Sequence, residues 1–105
     1  MTTQMLLMTG AALALGVAQA HAGDVSAGKE MYAESCVQCH GSSGRGVGSF
    51  PSLTGHDADY ITKRLEQYRA GDRVGPNTGL MAPHAADLSD EDIANFAAYI
   101  STDFQ

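Results

Sequence analysis

Within five consecutive residues, Cys36-Val37-Gln38-Cys39-His40, the chain places both of its cysteines and one of its four histidines. Two thiols three positions apart with an imidazole directly after them form the attachment pattern of a c-type haem. Each thiol can add to one haem vinyl group, and the two-residue spacer lets both sulfurs reach vinyls on the same side of the macrocycle. The residue that follows then delivers its imidazole to the iron as an axial ligand. Other chemistries explain less of the pattern. A thioredoxin-like pair belongs beside a βαβ pattern, and none surrounds these cysteines. A zinc site made of Cys36, Cys39, His40 and either His56 or His84 lacks the two separated ligand pairs usual in structural zinc. A plain disulfide leaves His40 without a role. One covalently bound haem c is therefore the expected cofactor.

The segment ahead of this motif is of another kind. Residues 1–22 contain no Asp, Glu, Lys or Arg, and the apolar stretch from Met5 to Ala20 ends in the small-residue patterns Ala18-Gln19-Ala20 and Ala20-His21-Ala22. That composition predicts a secretory signal peptide over 1–22, cut after Ala22 or after Ala20 and taking His21 with it in the first case, although no basic residue precedes the apolar region. The stretch is shorter than the roughly 20 apolar residues of a spanning helix, so no stable membrane insertion is expected. Residues 23–105 then form one domain, small enough that its unaided core would be marginal. A large apolar macrocycle in its interior would supply what is missing. Export places the protein in the bacterial periplasm. All 18 charged side chains fall in this domain, 12 acidic and 6 basic, for a net charge of −6. Nucleic acid and anionic membranes are unsuited to such a surface, which serves either solubility alone or docking to a redox partner with a basic patch.

Beyond the motif the pattern is helical, an all-α design without repeats or a convincing strand. A first helix is predicted from about Ser26 to Cys36, capped by Asp24 or Ser26, with Gly28, Tyr32 and Cys36 on successive turns of one face. Gly41 to Gly55 holds five glycines and four serines and reads as a loop. A helix resumes near Asp57, with Ile61, Leu65 and Tyr68 on one stripe, Lys63, Arg64, Glu66 and Arg69 facing away, and Gly71 as its stop. The last helix begins at Ser89, with Asp90, Glu91 and Asp92 at the positive end of its dipole and Ile93, Phe96, Ala97 and Ile100 facing inward.

This order, a haem motif after the first helix, a long loop, a methionine and a closing helix, resembles class I cytochrome c. More narrowly, Phe50-Pro51-Ser52-Leu53, Ala70-Gly71-Asp72-Arg73, Met81-Ala82-Pro83 and Leu88 to Ile93 resemble one domain of the cytochrome c4 and c553 group. The resemblance implies about four helices, or five, wrapped around the haem, with Gly28 and Tyr32 packed against Phe96 and Tyr99. It implies Met81, in the loop before the last helix, as the second axial ligand; His84, three residues on, is the rival by position, although its coordination would break the family pattern, and His56 reads as a surface or capping residue. By the same resemblance the Pro51 carbonyl accepts the proton on the far nitrogen of His40. Arg73, and after it Arg45, are candidates to pair with haem propionates.

Histidine and methionine together would fill both axial positions and favour reduced iron, so electron transfer rather than catalysis is the expected chemistry. The chain then reads as a monohaem, one-electron carrier between a donor and an acceptor protein, not an enzyme. The alternative is the cytochrome subunit of an electron-accepting complex such as flavocytochrome c sulfide dehydrogenase, with a flavoprotein partner. Because cytochrome c4 joins two such domains, pairing of two copies of this chain also stands open.

Overall fold

Asp24, in extended backbone, accepts hydrogen bonds from the amides of Ser26 and Ala27 and so starts the first helix, α1 (Val25–Ser35), of the computed structural model. The structure describes residues 10–11 and 23–105. The expected signal peptide and both of its cleavage points lie outside the described residues.

Cys36 ends α1 at φ −114°, and the chain re-enters a single helical turn, α2 (Val37–His40), that carries the rest of the motif. The glycine-rich segment that follows is a loop closed on itself by backbone bonds, Gly46 to His40 at 2.8 Å and Leu53 to Gly44 at 2.6 Å. Asp57 accepts the amide of Tyr60 at 2.7 Å and opens α3 (Ala58–Ala70), which Gly71 ends in the left-handed conformation at φ 78°. A further helix, α4 (Thr78–Ala85), precedes the last, α5 (Asp90–Asp103). The start of α5 is a capping box: the Ser89 hydroxyl accepts the Asp92 amide at 3.0 Å, and the Asp92 carboxylate accepts the Ser89 amide at 3.0 Å. No strand occurs among the described residues, as the all-α reading requires.

The core lies where α1 and α3 pack on α5. Ile93, Phe96, Ala97 and Ile100 of α5 are buried against Ile61 and Leu65 of α3 and Tyr32 of α1. Gly28 lets α1 approach α5 closely, because a Cβ there would run into the carbonyl oxygen of Asn95 and lie 2.8 Å from the Tyr99 Cβ. Tyr32 meets Tyr99 with ring centroids 5.5 Å apart, and Phe104 completes the cluster edge-on to both rings, at 5.1 and 5.3 Å.

Five helices stand among the described residues, within the four or five expected, α2 being a separate turn. Two expectations need correction. Met81 sits on helix α4, not in a loop: Gly79 and Pro83 read as helix breakers, yet the Thr78 hydroxyl gathers the amides of Val74 and Gly75, both at 3.0 Å, and organises the turn that starts the helix. Arg64 and Arg69 do not face away into water but are half-buried. Arg69 reaches across to α5, donating to the Leu88 carbonyl and pairing with Asp90 at 2.7 Å.

Candidate functional site

All five helices contribute to one apolar cavity of about 480 Å³, within the roughly 300–1,000 Å³ usual for cofactor sites. Cys36 forms part of its wall together with Cys39 and His40 of α2. Ile61 and Leu65 enter from α3, Leu80 and Met81 from α4, and Phe96 and Ile100 from α5. The hydrophobic stripes that build the core therefore also line the site.

The motif is held rigidly. His40 is only 9% exposed, and its Nδ1 lies 2.9 Å from the Pro51 carbonyl oxygen. A carbonyl can only accept, so Nδ1 is the donor, and in the neutral ring this leaves the lone pair on Nε2. The chain just after His40 is pinned as well, since the Tyr32 hydroxyl donates to the Gly41 carbonyl at 2.6 Å. Burial holds that phenol's pKa well above its ordinary value, with Cys36 and Tyr99 adding to the effect. The two thiols are not joined to each other. Burial, and then the neighbouring Cys39, push the Cys36 thiol up to about 11, which keeps it neutral at ordinary pH. Conversion to a thioether would remove that ionisable group from the wall altogether.

Met81 is half-buried, packed against the core, and on the cavity wall. Met31 lines the cavity too, but from α1, the helix that leads into Cys36. His84 is an exposed residue at the cavity edge. His56 does not cap α3, a role taken by Asp57; its ring stacks on Tyr60 at 4.0 Å, and both residues line the cavity. Among the described residues no group of three or more His, Cys, Asp and Glu side chains converges on a metal-sized site, so the zinc alternative has no geometry to stand on. Arg73 is exposed and off the cavity wall, and Arg45 is exposed on a separate polar hollow beside Asp103 and Phe104. Arg64 is the basic residue that lines the cavity. Its charge had placed it on the outer face of α3, and the signal that could have revealed it is its spacing, one turn from both Tyr60 and Tyr68.

An apolar cavity bordered by two thiols and an imidazole with a free Nε2 lone pair defines a covalent haem site on an all-helical fold. The chain belongs to the cytochrome c family, whose model matches residues 25–103. It is 48% identical over 82 residues to cytochrome c-554(548) of Halomonas halodenitrificans, covering 77% of this chain and 98% of that one. It is 40% identical over 67 residues to the thiosulfate dehydrogenase electron acceptor of Stutzerimonas stutzeri, covering 63% of this chain and 31% of that one. The solved structure of Acidithiobacillus ferrooxidans cytochrome c4 superposes with a TM-score of 0.65 at 33% identity, over 78% of this chain and 50% of that chain. The cofactor is haem c, and the protein is an electron carrier.

Proposed function

We propose that this protein is a monohaem one-electron shuttle of the periplasm, with haem thioether-linked to Cys36 and Cys39 and its iron held between His40 Nε2 and Met81 Sδ. The observation that carries the reading is the His40–Pro51 hydrogen bond at 2.9 Å on the wall of an apolar cavity that Met81 lines from a separate helix. When bound, the haem supplies the one-electron couple. The protein's own residues do the rest. The Pro51 carbonyl fixes the imidazole tautomer and orientation and raises its basicity. A thioether from α4 favours the reduced state relative to a second imidazole and leaves no open position for a substrate. The apolar wall keeps water from the site, so little has to rearrange when charge arrives or leaves. None of the described helices is long and apolar enough to cross a membrane.

Expression with a haem-maturation system tests this directly. A low-spin reduced spectrum and, in the oxidised protein, the weak near-infrared band of iron–methionine sulfur bonding, lost in Met81→Ala, are the expected result. A colourless product would overturn the haem assignment, and a coloured one without that band would transfer the ligand role from Met81 to another residue.

A second reading is favoured by the relative named an electron acceptor of thiosulfate dehydrogenase. In it the chain serves one enzyme as its cytochrome partner or subunit, as in flavocytochrome c sulfide dehydrogenase. Co-elution with a flavoprotein or dehydrogenase on gel filtration favours that reading; a monomer at high dilution that exchanges electrons with several partners favours the free shuttle.

A further inference from the structure

Of the six Lys and Arg residues, Arg64 alone lines the haem cavity. Lys29, Arg45, Lys63 and Arg73 are exposed and off its wall, and Arg69 is engaged with Asp90 and the Leu88 carbonyl. Arg64 is half-buried, and the Arg69–Asp90 bridge being the one ion pair among the described residues, it has no carboxylate partner there. Glu34 also lines the cavity without pairing with it. One guanidinium N–H goes to the Gln67 side chain at 3.1 Å, which leaves most of the five donors unassigned. The group is nonetheless held in place. Its carbon lies 5.3 Å from the centre of the Tyr60 ring, a cation–π distance, and the other partner of that ring is His56, stacked at 4.0 Å. His56, Tyr60 and Arg64 stand four residues apart in sequence and form one column along the edge of the cavity.

A half-buried cation without an anion, steadied at the edge of an apolar cavity, has the chemistry of a carboxylate receptor. We infer that Arg64, positioned by Tyr60, is the residue that pairs with a haem propionate, and that the His56–Tyr60–Arg64 column fixes which edge of the macrocycle faces α3. This rests on the haem occupying the cavity as proposed above. Arg64 is thus a positioning residue that also acts on the iron through its charge. A cation beside the macrocycle stabilises the reduced form, and it holds the propionate ionised to lower pH than water would.

The test is the midpoint potential of the haem-loaded protein between about pH 5 and about pH 9, a range that covers the raised titration of a partly buried carboxylate that has lost its cation. Wild type is compared with Arg64→Gln, Arg64→Lys, Arg73→Gln and Lys63→Gln. The Gln variant at 64 is expected to have a lower potential that climbs as pH falls, because its propionate now protonates within the window. The Lys variant restores most of the wild-type behaviour, and Lys63→Gln, the same charge change on an exposed neighbour, tracks wild type. An Arg64→Gln protein with a normal visible spectrum and an unchanged potential profile would overturn the inference, as would the same shift appearing in Arg73→Gln instead. Loss of the haem spectrum in wild type would overturn the cofactor assignment, a distinct failure. Should Arg64→Gln fail to take up haem, proton NMR of reduced wild type decides: cross-peaks between the Tyr60 ring or Arg64 side chain and propionate methylenes support the pairing, and their absence removes it.

Discussion

Adding one methyl group at Gly28 is enough to disturb the crossing of α1 and α5. A Cβ there collides with the Asn95 carbonyl, in a stretch of α5 where Asn95 is itself buried and accepts the Asp24 amide at 2.8 Å. Neither helix can retreat without opening the Tyr32–Tyr99–Phe104 cluster. Gly28→Ala is expected to destabilise the haem-loaded protein by about 1–3 kcal/mol, the usual range for overpacking, even though alanine is the better helix former. Thermal unfolding should show a fall of roughly 4–8 °C in Tm for each kcal/mol. Tyr32 gives a pH prediction. Its folded pKa is raised, so the fold favours the protonated phenol, and stability is lost as pH rises beyond the ordinary value of 10.0, where the unfolded chain ionises first. Measured between about pH 8 and about pH 11, the Tm of wild type should fall more steeply than that of Tyr32→Phe. The Phe variant starts lower, having lost the bond to Gly41, worth about 1 kcal/mol. Equal slopes would show that this phenol does not govern the alkaline limit.

Helix boundaries were legible in the sequence wherever the signal is local. Asp24, Asp57, Gly71 and Ser89 act through bonds between residues two to four apart, and each stands where a short-range reading places it. Replacing Ser89 by Ala removes one half of the capping box and should cost about 0.5–2 kcal/mol, readable in denaturant unfolding at unchanged m-value. A destabilisation outside that range, or a changed m-value, would mean that the box does more than cap α5. The illegible parts depend on neighbours distant in sequence. α4 contains both Gly79 and Pro83, and its eight residues are organised by the Thr78 hydroxyl and by packing on α3. α2 is four residues long, too short to show a period. Phe104 follows the last helix without any pattern to announce it, yet it is 5% exposed, because Gly44 leaves room beneath its ring. The site divides in the same way. The contiguous motif at residues 36–40 was readable at once. Arg64 was not, since a charge on an amphipathic helix is assigned to water unless a cavity is known to lie beside it.

Charge acts over longer distances than any of these contacts. The net charge is −6, and all twelve acidic residues but Asp92 are exposed, so an approaching partner meets a field that is negative over most directions. The cavity edge departs from that background at the α3 side, where Arg64 is half-buried and unpaired by protein carboxylates among the described residues. Two opposing effects then compete for a small oxidant: repulsion or attraction by the overall charge, and local selection near the haem edge. Their ranges differ. Raising ionic strength from about 0.01 M to about 0.15 M contracts the Debye length from about 30 Å to about 8 Å and removes the overall term first. Oxidation of the reduced protein by a cationic complex such as tris(phenanthroline)cobalt(III) is therefore expected to slow as salt is added, and oxidation by ferricyanide to speed up, in stopped-flow measurements. Arg64→Gln should leave both salt trends in place, because one half-buried charge in eighteen does not reverse the field. Salt trends of the opposite sign would mean that the charge near the electron-exchange edge, and not the acidic surface, selects the partner, and a redox protein with an acidic docking face would then be the one to seek.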